Sequence, residues 1–387
     1  MSTFKVPIKQ IRAIEPHPNA DALEIAVIDG YRSVVKKGQL RAGDMVAYLP
    51  EGSVLPEWLL RQLELWDEEN GCGKLAGKEG NRIKAVTLRG ELSQGICYPL
   101  RKEELASGTV WWIDSFKNGV WKSARIDDMH DAAEFLGVTK YEPPVPVSMS
   151  GEVFSVDPAF TLDFDVESWQ SYPDILKEGE EVVITEQIHG TFTGISVLRY
   201  EDAHPEAFGE VNNILLFSKG LGAKGLVFKN NEQNRKNVYV RATREVIQRI
   251  DKLQRGKSPS PLAQTFILGE TYGPGVQDLT YGTELGFRIF AVCQGTRGNL
   301  TWLDWPRVED IAEMLGIFTV PVLAELPFHV IIMKRLASGM TAIGGHHIRE
   351  GVVVTPIPER TDPTIGRVSL KYVSPDYLTR KGGTEFN

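Results

Sequence analysis

Val182-Val183-Ile184-Thr185-Glu186-Gln187-Ile188-His189-Gly190-Thr191-Phe192 reads as a short buried strand that turns sharply at a glycine and starts a second strand at Phe192. Its β-branched run fits a pleated, covered sheet. Polar side chains crowd the strand's end just before the glycine, which is where a sheet presents chemistry to a ligand. Many strands end this way, so its meaning depends on the segments that follow.

Those segments share the same design. Phe217-Ser218-Lys219-Gly220, Leu268-Gly269-Glu270-Thr271-Tyr272-Gly273 and Arg349-Glu350-Gly351-Val352-Val353-Val354 each set a charged residue beside a strand-like apolar run. In Phe287-Arg288-Ile289-Phe290-Ala291-Val292, period two puts Phe287 and Phe290 on opposite faces. In Arg367-Val368-Ser369-Leu370-Lys371-Tyr372-Val373 it separates Val368, Leu370 and Tyr372 from Arg367, Ser369 and Lys371. A lysine on the polar face of an otherwise buried strand is a good phosphate ligand.

Taken in order, these segments resemble the nucleotidyltransferase motifs of ATP-dependent RNA ligases of the RNA ligase 2 type. An OB-like start and the tail from Tyr377 to Phe386 resemble the branch with an N-terminal OB domain. Because only a short tail follows Lys371, DNA ligases and capping enzymes, which carry an OB domain there, are not expected.

The resemblance implies an α+β chain: an OB-type β-barrel, then an adenylyltransferase domain of antiparallel sheets with flanking helices. It implies ATP and Mg²⁺ (or Mn²⁺) as cofactors and RNA bearing a 3′-hydroxyl and a 5′-phosphate as partner. Glu186, Gly190, Lys219, Glu270, Phe290 and Lys371 become the nucleotide contacts, and Glu270 and Glu350 the metal ligands. His189, Glu350 and Lys371 join the catalytic set. Phe290 is the adenine-stacking position by resemblance, whereas residue patterning leaves both phenylalanines open as core.

One departure governs activity. The family's attacking lysine is here Gln187, and a glutamine amide is not nucleophilic at neutral pH. The chain is therefore expected to bind ATP without charging itself, while sealing of a strand already carrying AMP, which needs no lysine adduct, stays open. An active-site substitution that arrests a ligase and a natural pseudo-ligase that only binds nucleotide or RNA both fit. Smaller departures are Ala291, where relatives often have Asp, and Val373, where many have a second lysine.

Outward from these motifs, 387 residues give room for two or three domains. Short runs at Ala26-Val27-Ile28, Ser33-Val34-Val35 and Met45-Val46-Ala47-Tyr48-Leu49, separated by glycine-rich turns, predict a small barrel of OB or similar type. We expect the barrel over 1–120, a linker over 121–150 with a short helix at 128–136 ended by Gly137, and the ligase-like domain over 151–387. His17-Pro18-Asn19-Ala20-Asp21 and Leu88-Arg89-Gly90-Glu91-Leu92-Ser93-Gln94-Gly95 resemble the ends of tRNA-binding OB domains. Lys36, Lys37, Arg41, Arg82, Lys84 and Arg89 then form either an RNA-contacting rim or a solvated one.

A net charge of -8 argues against coating nucleic acid by bulk charge and leaves room for a local basic groove, with Arg235, Lys236, Arg241 and Arg244 as candidates. A non-enzymatic RNA binder built on the barrel alone would leave the ordered motifs as coincidence. The three cysteines form no Cys-x-x-Cys pair, so a zinc site is not expected and a reducing cytoplasm fits. No run approaches the roughly 18 apolar residues of a membrane span. Gly220-Leu221-Gly222-Ala223-Lys224-Gly225 matches a dinucleotide fingerprint, but the strand-like Leu226-Val227-Phe228 follows where a helix is required.

Overall fold

The computed structural model describes residues 4–383 apart from 128, 145, 163, 220–225, 256, 258–261, 283 and 297–298. The glycine run of the apparent fingerprint, the start of the expected 128–136 helix and the last residues of the tail therefore lie outside the described residues. The chain forms two compact units. One comprises Ser2–Glu142 with Trp169–Pro173, and the other Pro143–Ser168 with Asp174–Asn387.

The first unit is built from short antiparallel strands, as its turn-rich sequence requires. Ile8–Gln10, Met45–Leu49 and Ile96–Pro99 form one sheet, and Ala13–Pro16, Leu23–Ile28 and Tyr31–Lys36 another. Val46, Ala47 and Leu49 of one sheet and Ala26 and Ile28 of the other are buried. The two stretches singled out at the barrel's ends meet. His17 Nε2 donates to Leu88 O at 3.1 Å, and Asn19 Nδ2 to Arg89 O at 2.9 Å.

The expected basic rim is reduced. Arg82 is buried, with its guanidinium 3.8 Å from the centre of the Tyr141 ring, and Lys36 is paired with Glu64. A further antiparallel sheet, Arg101–Leu105, Gly108–Lys117 and Val120–Arg125, carries Trp111, Trp112 and Trp121. The helix expected over 128–136 is a single turn, Ala133–Leu136, closed by Gly137 at φ +69°. This unit reaches Glu142, beyond the boundary placed near 120, because strand Val120–Arg125 is paired and Leu136 is buried.

A later piece of chain completes the barrel. Gln170 accepts from Gly30 N at 2.8 Å and returns Nε2 to Gly30 O at 3.1 Å. A Cβ at Gly30 would stand 2.7 Å from Gln170 Cα, so the approach requires glycine.

The second unit holds a seven-stranded and a five-stranded sheet. The seven-stranded sheet runs in the order Val153–Phe154, Leu226–Phe228, Ile214–Ser218, Thr191–Val197, Thr265–Tyr272, Gly286–Thr296, Asn299–Trp302. The five-stranded sheet runs Glu167–Ser168, Leu370–Val373, Gly351–Pro356, Glu181–Gln187, Val322–Pro327. All pairings are antiparallel except that of Glu167–Ser168 with Leu370–Val373.

Strands Glu181–Gln187 and Thr191–Val197 thus belong to different sheets, and Ile188-His189-Gly190 is the crossing between them. Helix Val238–Gln254 is capped by Asn237, whose side chain accepts from Tyr239 N at 2.8 Å. It buries Val238, Tyr239, Val246, Ile247 and Ile250 in the core beside the sheet residues Ile195, Leu216 and Ile267. Burial of each such aliphatic side chain contributes about 1.5–3 kcal/mol. No helix of the described residues is long and apolar enough to cross a membrane.

Candidate nucleotide site

A cavity of about 620 Å³ opens where the two sheets of the second unit meet. Every described residue assigned a site role in the sequence lines it: Glu186, Gln187, His189, Gly190, Lys219, Glu270, Phe290, Glu350 and Lys371.

Gln187 ends its strand opposite Gly351, which brings the preceding residue, Glu350, alongside. Gln187 Nε2 donates to Glu350 Oε1 at 2.6 Å. That bond fixes the amide's orientation, since the reverse would set its oxygen against a carboxylate. Gln187 Oε1 is buried and has no hydrogen-bond partner among the described residues.

Glu186, expected as a nucleotide contact, has both oxygens engaged by protein. Oε1 accepts from Thr341 Oγ1, and Oε2 from Ala342 N at 2.8 Å, with Arg349 Nε 3.5 Å away. It braces the loop at 341–342.

Gly190 has a specific steric task. A Cβ there would lie 2.3 Å from Thr271 O and 2.8 Å from Glu270 Cγ. The crossing between the sheets can pass Glu270 only without a side chain. Glu270 itself is pushed well above the ordinary carboxyl range by burial and by the Glu350 charge, against the pull of Lys219 and Lys371.

The two lysines share one counter-ion. Lys219 Nζ lies 2.8 Å from Asp165 Oδ2, and Lys371 Nζ 3.8 Å from Asp165 Oδ1. Burial opposes ionisation of Asp165, but Lys371 and Lys219 outweigh it and hold its carboxyl below the usual range. Lys371 sits on the polar face of its strand as period two required, with Val368 and Leu370 fully buried. Arg367, on the same face, is engaged with Glu359 and lies 4.2 Å over the Trp302 ring.

Phe290 reaches the cavity, where Phe164 stacks on it at 5.2 Å and 27°. Phe287 is buried in the core cluster and does not line the cavity.

An RNA ligase family profile matches residues 180–373, half of the chain. The chain belongs to the RNA ligase family. An OB-fold domain profile matches residues 5–100. Among solved structures, the RNA ligase of Naegleria gruberi with PPi is similar at 24% identity and TM-score 0.71, covering 97% of this chain and 98% of that one. Mutants of the same ligase are similar too. One with AMP and manganese matches at 23% identity and TM-score 0.70, covering 97% and 98% of the two chains. Another, with ATP and manganese, matches at 23% and 0.69, covering 96% and 97%. No curated protein sequence matches the chain.

In this RNA ligase family chain, His189 is the most densely bonded residue of the site. Nε2 lies 2.8 Å from Asp278 Oδ1, Nδ1 lies 2.7 Å from Tyr377 OH and 3.4 Å from Glu350 Oε2, and its backbone N–H donates to Tyr281 OH. Burial lowers the imidazole pKa, but Glu350 and Asp278 more than reverse this, and the net direction is upward. A raised folded-state pKa stabilises fully below the ordinary histidine value of about 6.5. That contribution fades as pH rises through the raised value.

The melting-temperature gap between this chain and His189→Gln is therefore expected to be widest in mild acid and to shrink above neutral pH. A gap that widens with pH would contradict the charged, doubly bonded imidazole. Melting curves of both proteins across pH 5–9 check this.

The described residues contain no group of three or more His, Cys, Asp and Glu side chains arranged to hold a metal. Glu270 and Glu350 nonetheless lie close enough for one charge to suppress ionisation of the other. The buried Gln187 Oε1 beside them lacks a donor. An all-oxygen set of this kind suits a hard dication. The residues fit the expected Mg²⁺ or Mn²⁺.

The sequence did not reveal Asp165, Asp278 or Tyr281, none of which stands in a segment with strand or helix periodicity. Tyr377 lies in the quoted tail, where only the resemblance drew notice to it. Arg380, 3.4 Å from both His189 Nε2 and Asp278, is in the same tail.

Proposed function

We propose that this chain is an RNA ligase stopped before its first chemical step and competent for its last. The observation that carries this is Gln187, held by Glu350 at the nucleophile position of a cavity that keeps Lys219, Lys371, Glu270 and Glu350. In the full reaction a lysine amine attacks the α-phosphorus of ATP and pyrophosphate leaves. AMP then passes to the RNA 5′-phosphate, and the 3′-hydroxyl attacks that phosphate, forming the phosphodiester and releasing AMP. Only the first two steps need the lysine adduct.

ATP enters with its phosphates taking over Lys219 and Lys371 from Asp165, and its adenine set against Phe290. Glu270 and Glu350 would hold Mg²⁺ or Mn²⁺, which when bound offsets phosphate charge. The three cysteines are free, which agrees with a cytoplasmic setting.

The test is sealing of a nicked RNA duplex whose 5′ end carries either phosphate or preformed AMP. We expect product only from the adenylylated end. Binding of ATP without sealing of either substrate would instead support a nucleotide-binding pseudo-ligase, a reading favoured by the short Gln187–Glu350 bond that ties the substituted side chain into the site.

A further inference from the structure

Away from the cavity, helix Val238–Gln254 carries a second feature on its solvent side. Its buried face ends in Tyr239, which lines the nucleotide cavity, while Arg241 and Arg244 point outward. Arg235 and Lys236, from the turn just before the helix, join them around a hollow of about 440 Å³ lined by these four cations alone. Among the described residues, no carboxylate lies within ion-pairing distance of Lys236, Arg241 or Arg244. Arg235 reaches only the exposed Glu232, at 3.4 Å.

Four like charges around one hollow, three of them without an ion-pair partner among the described residues, repel one another unless an anion joins them. Arg235 and Arg244 also line an adjoining hollow of about 570 Å³. Its floor includes the buried side chains Phe208, Val240 and Ile247, and its rim Asn230, Gln248 and the carboxylates Glu210 and Asp251, both of which are paired with Arg255. An apolar floor with hydrogen-bonding groups around it, sharing two arginines with an anion site, matches a base attached to its own phosphates.

We infer that these two hollows form one dock for an unstacked nucleotide of an RNA strand, with its flanking phosphates on Arg235, Lys236, Arg241 and Arg244 and its base over Phe208, Val240 and Ile247. This rests on the reading of the chain as acting on RNA. A free nucleotide offers the same chemistry. The strand is favoured because only Arg235 and Arg244 line both hollows, while Lys236 and Arg241 line the first alone, so the cations run on past the base-sized hollow as phosphates of successive nucleotides would.

The experiment measures binding of a 5′-labelled single-stranded RNA to the full chain by fluorescence anisotropy across a potassium chloride series. Arg241→Ala/Arg244→Ala is expected to weaken binding about tenfold or more at low salt, and to flatten log K against log salt by about 0.7 per lost phosphate contact. Arg241→Lys/Arg244→Lys, which keeps the charges, should retain most of the slope. Unchanged affinity and slope in the alanine variant overturn the dock. So does calorimetry that finds a second bound ATP, lost in the alanine variant, with RNA binding unaffected, since the site then takes free nucleotide.

Covalent labelling of Gln187→Lys by ATP, read separately, tests the ligase reading. Labelling with no tetrad effect on RNA removes only the dock, and a tetrad effect without labelling removes only the ligase.

Discussion

Placing lysine at position 187 is expected to let the chain label itself covalently with AMP from ATP, and the chain with Gln187 is expected to stay unlabelled. The amide of Gln187 has its nitrogen lone pair delocalised into the carbonyl, and Nε2 donates one of its two N–H bonds to Glu350 at 2.6 Å. A lysine there would pair with Glu350, and desolvation in the cavity would ease loss of its proton. Removing a covalent nucleophile typically costs on the order of 10⁴–10⁶-fold, so the gain should be of that size. Label that survives denaturation is the readout. A Gln187→Lys protein that binds ATP but stays unlabelled would mean that the rest of the site does not support the chemistry.

The second large effect belongs to Lys371. Its ammonium reaches the cavity from a strand anchored on its other face by the fully buried Leu370 and the half-buried Tyr372, so packing restricts where its stem begins. Asp165, held ionised by Lys371 and Lys219, is a counter-ion that a phosphate can displace. Lys371→Ala is expected to slow sealing of the pre-adenylylated strand by about 10²-fold, the usual cost of losing one preorganised donor at developing charge. Single-turnover sealing rates measure it. Full-rate sealing by Lys371→Ala, with loss in Lys219→Ala, would transfer the role to Lys219.

The strands near the site were legible because each is an apolar run with a polar or charged residue at or just beyond its end, and those residues converge on the cavity. Arg82 was misread as rim because sequence does not show that Tyr141 covers it. Beyond 120 the chain continues as a paired edge strand around Trp121, whose weak apolar alternation leaves little mark in the sequence. Asp165, Asp278 and Tyr377 were hidden for a different reason. Their partners stand 54 to 206 residues away, and only the closed fold brings them together. Nor did the glycine at 190 announce that its two flanking strands would enter different sheets.

The return of Trp169–Pro173 to the barrel turns a question of cloning into one of topology. The barrel is not a bead on a string, because the chain leaves it after Glu142, comes back for five residues and leaves again. Anyone wishing to graft this barrel onto another enzyme must transplant two pieces of polypeptide. A single cut at 142 would strip Gly30 and Gln94 of the partners that Gln170 supplies. Such a module cannot be excised as one continuous stretch of chain.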